Sequence, residues 1–182
     1  MNTATVPSAD EVRSNYLDIV QSATFAQIMQ AATWYTEAQG IARDFANKYL
    51  LTLDEAAGVI AAFSPRTRWA ENVRNAELFL NNNPVPTLSN NLRMAEAVMR
   101  EGSIHALRGR KTNSFAWNIA GNMDVVTIDV WMIRAAGYSR NDANKTMYDE
   151  MENAVMELAY SFGVEPAQMQ ALLWICVRGS HL

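Results

Sequence analysis

An all-α fold is predicted by three features of this 182-residue sequence. Apolar residues recur every three to four positions along most of its length. Polar cap signals stand ahead of several of these runs. No segment alternates with period two over a useful length, "MDVVTI" being too short to read as a strand. The helices follow in order. "SADEVRSNYLDIVQSA" opens with a Ser/Asp cap signal and repeats Val12, Tyr16 and Ile19 at helical spacing. "FAQIMQAATWYTEAQGIARDFANKYL" is long and Ala-rich, and Gly40 predicts a bend or break within it. "TLDEAAGVIAAF" starts with Thr52 and has Glu55 three residues later, a capping box. Its Ala57, Ile60, Ala61 and Phe63 predict a well-buried helix ending before Pro65.

"RWAENVRNAELFLNN" is stopped by an Asn run and "PVP", and "SNNLRMAEAVMREG" reads as another capped helix with Gly102 just past its end. Helices are expected at roughly 110–120 and 128–136, closed by Gly121 and Gly137. "RNDANKTMYDEMENAVMELAYSFG" is amphipathic with an acidic outer face. The last helix, "EPAQMQALLWICVRG", has Glu165 and Pro166 at its start.

Composition narrows the function classes. Hydrophobic residues make up 49% and charged residues 19%, a globular balance. No run of about 18 apolar residues and no basic-then-apolar leader is present, so a soluble, unexported, cytoplasmic chain is expected. The single cysteine, Cys176, excludes an internal disulfide and a cysteine-ligated iron–sulfur cluster or structural zinc. His105 and His181 are too few for an ordinary histidine metal site, so neither metal nor cofactor is expected. The tail "RGSHL" carries no weight in this reading. The net charge of −4 argues against indiscriminate nucleic-acid binding. The charge is uneven, however. Arg100, Arg108, Arg110 and Lys111 face only Glu101 within residues 100–111, whereas Asp142, Asp149, Glu150, Glu152 and Glu157 face only Lys145 within 142–157. A basic edge on an acidic body suits a local phosphate contact, although chance clustering of surface charge is an equally good account.

The chemistry concentrates in "GRKTNSFAWNIAGNMDVVTIDVWMIRAAG", residues 109–137. On a helix starting near Arg110, Lys111, Ser114 and Asn118 share one face, with Phe115 and Ile119 on the apolar one beside it. The positive end of the helix dipole, with Arg108 and Arg110 nearby, disfavours a protonated Lys111, as a nucleophilic lysine requires. A solvated lysine in a turn is the plain alternative. Asp129 falls at a helix N-terminus, where a carboxylate caps exposed N–H groups. The same carboxylate can stabilise a cationic transition state, and the two roles are compatible.

These residues carry a resemblance. The stretch is similar to the signature of the helix-hairpin-helix DNA glycosylase superfamily, the group of endonuclease III and the adenine glycosylases. There a Gly-rich hairpin leads into G-x-K-T/A, with a catalytic lysine in the lyase members, and then a segment V-D-x-x-x-x-R with the shared aspartate. Here these read Gly109, Arg110, Lys111, Thr112, then Ile128, Asp129, Arg134, with 18 residues from Lys111 to Asp129. "GVIAAFSPRTRWAENVRNA" resembles the family's Ser-containing turn and Asn-bearing helix through Ser64, Thr67, Trp69 and Asn72. "ALLWICVRG" resembles its closing helix. The nearest likeness is to small glycosylase-like proteins of bacteriophages, with Asn118 and Ile119 in the middle motif and Trp34 and Tyr35 in the core. Two departures stand out. Ala106, Leu107, Arg108 and Gly109 replace the usual L-P-G-V-G hairpin, and Trp131 stands where endonuclease III-like members have a histidine.

The resemblance implies one helical domain over 1–182, in two lobes with a cleft between them. Its glycosylase-like core is about 52–179, and helices from 8–50 complete the second lobe. It implies a base-flipping DNA glycosylase acting on a modified or damaged base. Asp129 would stabilise the oxocarbenium-like transition state, and Lys111 would form a Schiff base with an optional lyase step. Arg108, Gly109, Arg110, Thr112 and Asn113 would hold phosphate. Ser64, Thr67, Arg68, Trp69, Asn72, Asn118, Trp131 and Arg134 would line the substrate or DNA surface. DNA is the expected partner, with no membrane, in a host cytoplasm if the gene is carried by a phage. Two alternatives stay open: a thymine-hypermodification enzyme of the same fold, and a catalytically silent protein that binds DNA or a host protein.

Overall fold

The computed structural model describes residues 6–139 and 144–179. The described residues are helical throughout, with no strand. The helices are α1 (Ala9–Gln21), α2 (Phe25–Tyr49), α3 (Leu53–Ala62), α4 (Trp69–Leu80), α5 (Ser89–Glu101), α6 (Arg110–Ala120), α7 (Val130–Ala135), α8 (Lys145–Phe162) and α9 (Pro166–Arg178), with a single 3-10 turn at Ile104–Ala106. Among the described residues no helix is long and apolar enough to cross a membrane. Asp142 and His181 lie outside the described residues, as does most of the "RGSHL" tail.

The chain divides into two compact units. One is built from the described parts of Met1–Trp34 and Val126–His181, the other from Tyr35–Val125, so that α2 contributes its first part to one and the remainder to the other.

In the unit made by the two ends of the chain, α1 packs on α8 and α9, and α7 packs on α9. Val12 and Tyr16 of α1, Met151, Val155 and Leu158 of α8, and Leu173 and Ile175 of α9 are nearly or wholly excluded from solvent. Ser8 and Glu11 close α1 with a capping box. The Tyr16 hydroxyl donates to the Met132 carbonyl at 3.0 Å. Burial, with the Asp129 and Tyr138 charges as lesser causes, pushes its phenol well above the ordinary tyrosine range. Tyr138 is also raised, by burial and by its 2.7 Å hydrogen bond to Glu150.

The central unit is organised around α3, which packs on α4, α5 and α6. Thr52 and Glu55 form the expected capping box, and every side chain from Ala56 to Phe63 that bears a Cβ is fully buried. Gly58 permits a close crossing with α5. A Cβ added there would lie 2.7 Å from Val98 Cγ1, nearer than real Cβ contacts come. Gly102 ends α5 in the left-handed conformation (φ 64°), as its position predicts.

Three expectations change. α2 runs unbroken through Gly40, because the buried Ala38 and Ala42 on either side hold the helix and a glycine costs only about 0.5–1 kcal/mol in a helix interior. The helix after Gly121 begins at Val130 rather than 128, with Asp129 as its cap. α5 starts without a side-chain cap, since Leu88 and not Ser89 occupies the cap position.

Candidate functional site

Lys111 belongs to the central unit. It lies in the first turn of α6, whose cap position is Gly109 and which has no side-chain cap. Its side chain is half-buried rather than solvated. Nζ donates to Ser64 Oγ at 2.8 Å and lies 5.3 Å from the Phe115 ring centroid. Phe115 in turn meets Tyr35 at 6.4 Å and Trp69 at 6.2 Å, both edge-on. The amine therefore touches a hydroxyl and an aromatic face that favours a cation by its quadrupole. This opposes the helix dipole, which disfavours one.

Ser64 follows α3 in a short, fixed turn. Its N–H donates to Ala61 O at 3.1 Å, and its carbonyl accepts from Thr67 N at 3.4 Å. Thr67 Oγ1 and Asn91 Nδ2 both donate to Pro65 O at 3.2 Å. Asn91, 1% exposed on α5, is an anchor that sequence reasoning missed, because nothing local distinguishes it from a surface asparagine. The turn places Arg66 in the left-handed region (φ 61°), a conformation a non-glycine residue adopts at a cost, and leaves Arg66 and Arg68 exposed.

The other expected phosphate contacts divide. Arg108 is exposed and lies 3.5 Å from Glu101, which also meets Arg100 at 3.4 Å, so one carboxylate offsets part of the basic edge. Arg110 is exposed. Thr112 is buried and donates to Gly109 O at 3.0 Å. Asn113 spans the replaced hairpin, donating from Nδ2 to Ile104 O and Leu107 O at 3.2 Å each. Thus the "HALRG" segment is tied to α6 by a side chain. Asn118 is fully buried and donates both amide hydrogens to Asn122 O (2.9 Å) and Val125 O (2.7 Å), fastening the loop after α6. Asn72 and Asn75, each 1% exposed on one face of α4, present Oδ1 atoms with no hydrogen-bond partner among the described residues.

Asp129 belongs to the other unit. Its Oδ1 accepts from Trp131 N at 2.8 Å and Met132 N at 3.1 Å, the geometry of an N-cap. Its Oδ2 accepts from the indole N–H of Trp174 at 3.0 Å. Trp174 lies edge-on to Trp34 at 5.7 Å, and the Arg178 guanidinium stacks 4.6 Å above its ring. Trp131 is half-buried under Arg134 at 5.1 Å. Trp174 is a further partner that the sequence held only inside the quoted "LLWICVRG". Burial raises the Cys176 thiol above its ordinary range, which makes it a poor nucleophile. Among the described residues no group of three His, Cys, Asp or Glu could hold a metal ion.

A family model described as "Family of unknown function (DUF7178)" matches residues 1–181. No curated protein and no solved structure matches the chain.

Proposed function

The chain belongs to the DUF7178 family, and we propose that it is a helix-hairpin-helix glycosylase-like protein acting on a modified or damaged base in DNA. In this reading Lys111 is the amine nucleophile, and Asp129 is the carboxylate that stabilises positive charge developing on the sugar. The single observation that carries it is the 2.8 Å hydrogen bond between Lys111 Nζ and Ser64 Oγ. It joins, across 47 residues, two motifs that carry the resemblance, "SPRTRW" and "GRKT". Their meeting at an amine over the Phe115 ring suits a nucleophilic site facing a flat base.

Arg66, Arg68, Arg108 and Arg110 serve in this reading as contacts to the DNA backbone around Lys111. Asp129 already spends Oδ1 on the start of α7 and Oδ2 on Trp174. Three donors hold it fixed, as an electrostatic stabiliser needs. What couples the two roles is the frame Gly109–Thr112, Ile128–Asp129, Arg134.

Mass spectrometry of nucleosides from bacteriophage and bacterial DNA after incubation tests the proposal. One nucleoside should fall and its free base appear, and both changes should be lost in Lys111→Ala and Asp129→Asn. A nucleoside converted to a heavier one with no free base would favour the hypermodification reading. An unchanged nucleoside profile in every DNA would contradict enzymatic action on bases.

A further inference from the structure

We infer that Ser64 is a positioning and proton-relaying residue for the Lys111 amine, an inference that rests on the reading of Lys111 as a nucleophile. A serine hydroxyl can accept through its lone pairs while donating its one proton. Ser64 Oγ accepts from Lys111 Nζ at 2.8 Å, which uses a lone pair and leaves its own proton to donate. That proton is available to whatever Lys111 attacks. The hydroxyl also sits on a rigid mount. Its backbone is held to Ala61 and Thr67, and the next carbonyl, Pro65 O, is gripped by Thr67 Oγ1 and by the buried Asn91. A surface loop serving only as a spacer would have no need of a buried amide on its carbonyl.

The chemistry balances without any further reactant. The Lys111 ammonium first gives one proton to solvent, and the neutral amine then adds to the C1′ aldehyde of a ring-opened abasic sugar, giving a carbinolamine on Nζ. Ser64 Oγ then takes the remaining N–H proton as it hands its own proton to the carbinolamine hydroxyl. The C–O bond breaks, the C=N bond forms, and one water leaves. Dehydration at near-neutral pH needs a proton delivered to the departing oxygen, and a relay touching both atoms supplies it.

The test follows imine formation by borohydride trapping, as a function of pH, with two probes: an abasic-site oligonucleotide, and propanal with the modified lysine located by peptide mapping. Ser64→Ala should slow trapping at Lys111 by about 100-fold, the lower end of general acid–base contributions. It should also steepen the dependence on added buffer acid. Ser64→Thr, which keeps the hydroxyl, should restore the rate to within a few-fold. If Ser64→Ala does not fold, Ser64→Cys, a weak donor in the same place, replaces it. Trapping by Ser64→Ala at the wild-type rate overturns the relay and leaves Lys111 as nucleophile. If the wild type gives no adduct with the oligonucleotide, the DNA reading fails. Propanal then decides the relay alone: Ser64-dependent labelling of Lys111 supports it, and Ser64-independent labelling or none overturns it.

Discussion

Asp129 and Lys111 both stand at the beginning of a helix, and they are held in opposite ways. Asp129 suits its place. The start of α7 offers N–H groups, and the carboxylate takes two of them as well as the Trp174 indole. Lys111 opposes its place. A cation is disfavoured at the start of α6, and its amine meets the Phe115 ring one turn along the same helix and the Ser64 hydroxyl, which another part of the fold supplies. A cap can be explained by stability alone. An amine brought against the helix dipole to meet a rigidly mounted hydroxyl is harder to explain that way. The contrast therefore puts more functional weight on Lys111, and for Asp129 it rests on Oδ2, which capping does not use.

The largest effect is expected at Asp129. Asp129→Asn keeps an oxygen for the α7 cap, so stability should change little while base release falls by about 100-fold or more. Asp129→Ala should in addition lose about 1–2 kcal/mol of stability through the missing cap, read by denaturant unfolding. Undiminished base release by the Asn variant would reduce Asp129 to a cap.

A smaller effect is expected at the arginines beside Ser64. Arg66→Ala and Arg68→Ala should each lower the slope of log affinity against log salt for DNA by about 1, one phosphate contact apiece. Binding with no salt dependence at all would point to a protein partner instead.

The smallest effect concerns Tyr16, whose raised pKa is partly due to Asp129. Its neutral phenol is favoured in the folded state, so its contribution is fully present below the ordinary tyrosine value of about 10 and is lost as pH rises above it. Tyr16→Phe should cost about 1 kcal/mol at neutral pH by leaving Met132 O without its donor. It should also flatten the fall in stability above pH 10 seen in pH-dependent unfolding.

What could be read from the sequence was local. The Ser8–Glu11 and Thr52–Glu55 boxes and the left-handed Gly102 follow from neighbours within a few residues, and they appear where expected. Gly40 was misleading because its penalty is small beside the packing of Ala38 and Ala42. At the site, Lys111 and Asp129 stood out by type and spacing, but their partners did not. Ser64 lies 47 residues from Lys111 and Trp174 lies 45 from Asp129, and no periodicity connects positions so far apart. Asn113 and Asn118 stand out in the sequence only by their place in the motif, and the backbone that their amides hold, at Ile104, Leu107, Asn122 and Val125, is set by the need of a polar side chain buried in a helix to find nearby acceptors.

The most direct test of the central claim is to map the borohydride-trapped adduct between the wild-type protein and an abasic-site oligonucleotide. One adduct is expected on the peptide carrying Lys111, absent from Lys111→Ala. None is expected on Lys48 or Lys145, which are paired with Glu77 and Asp149. An adduct that persists in Lys111→Ala, or no adduct in the wild type, would contradict it.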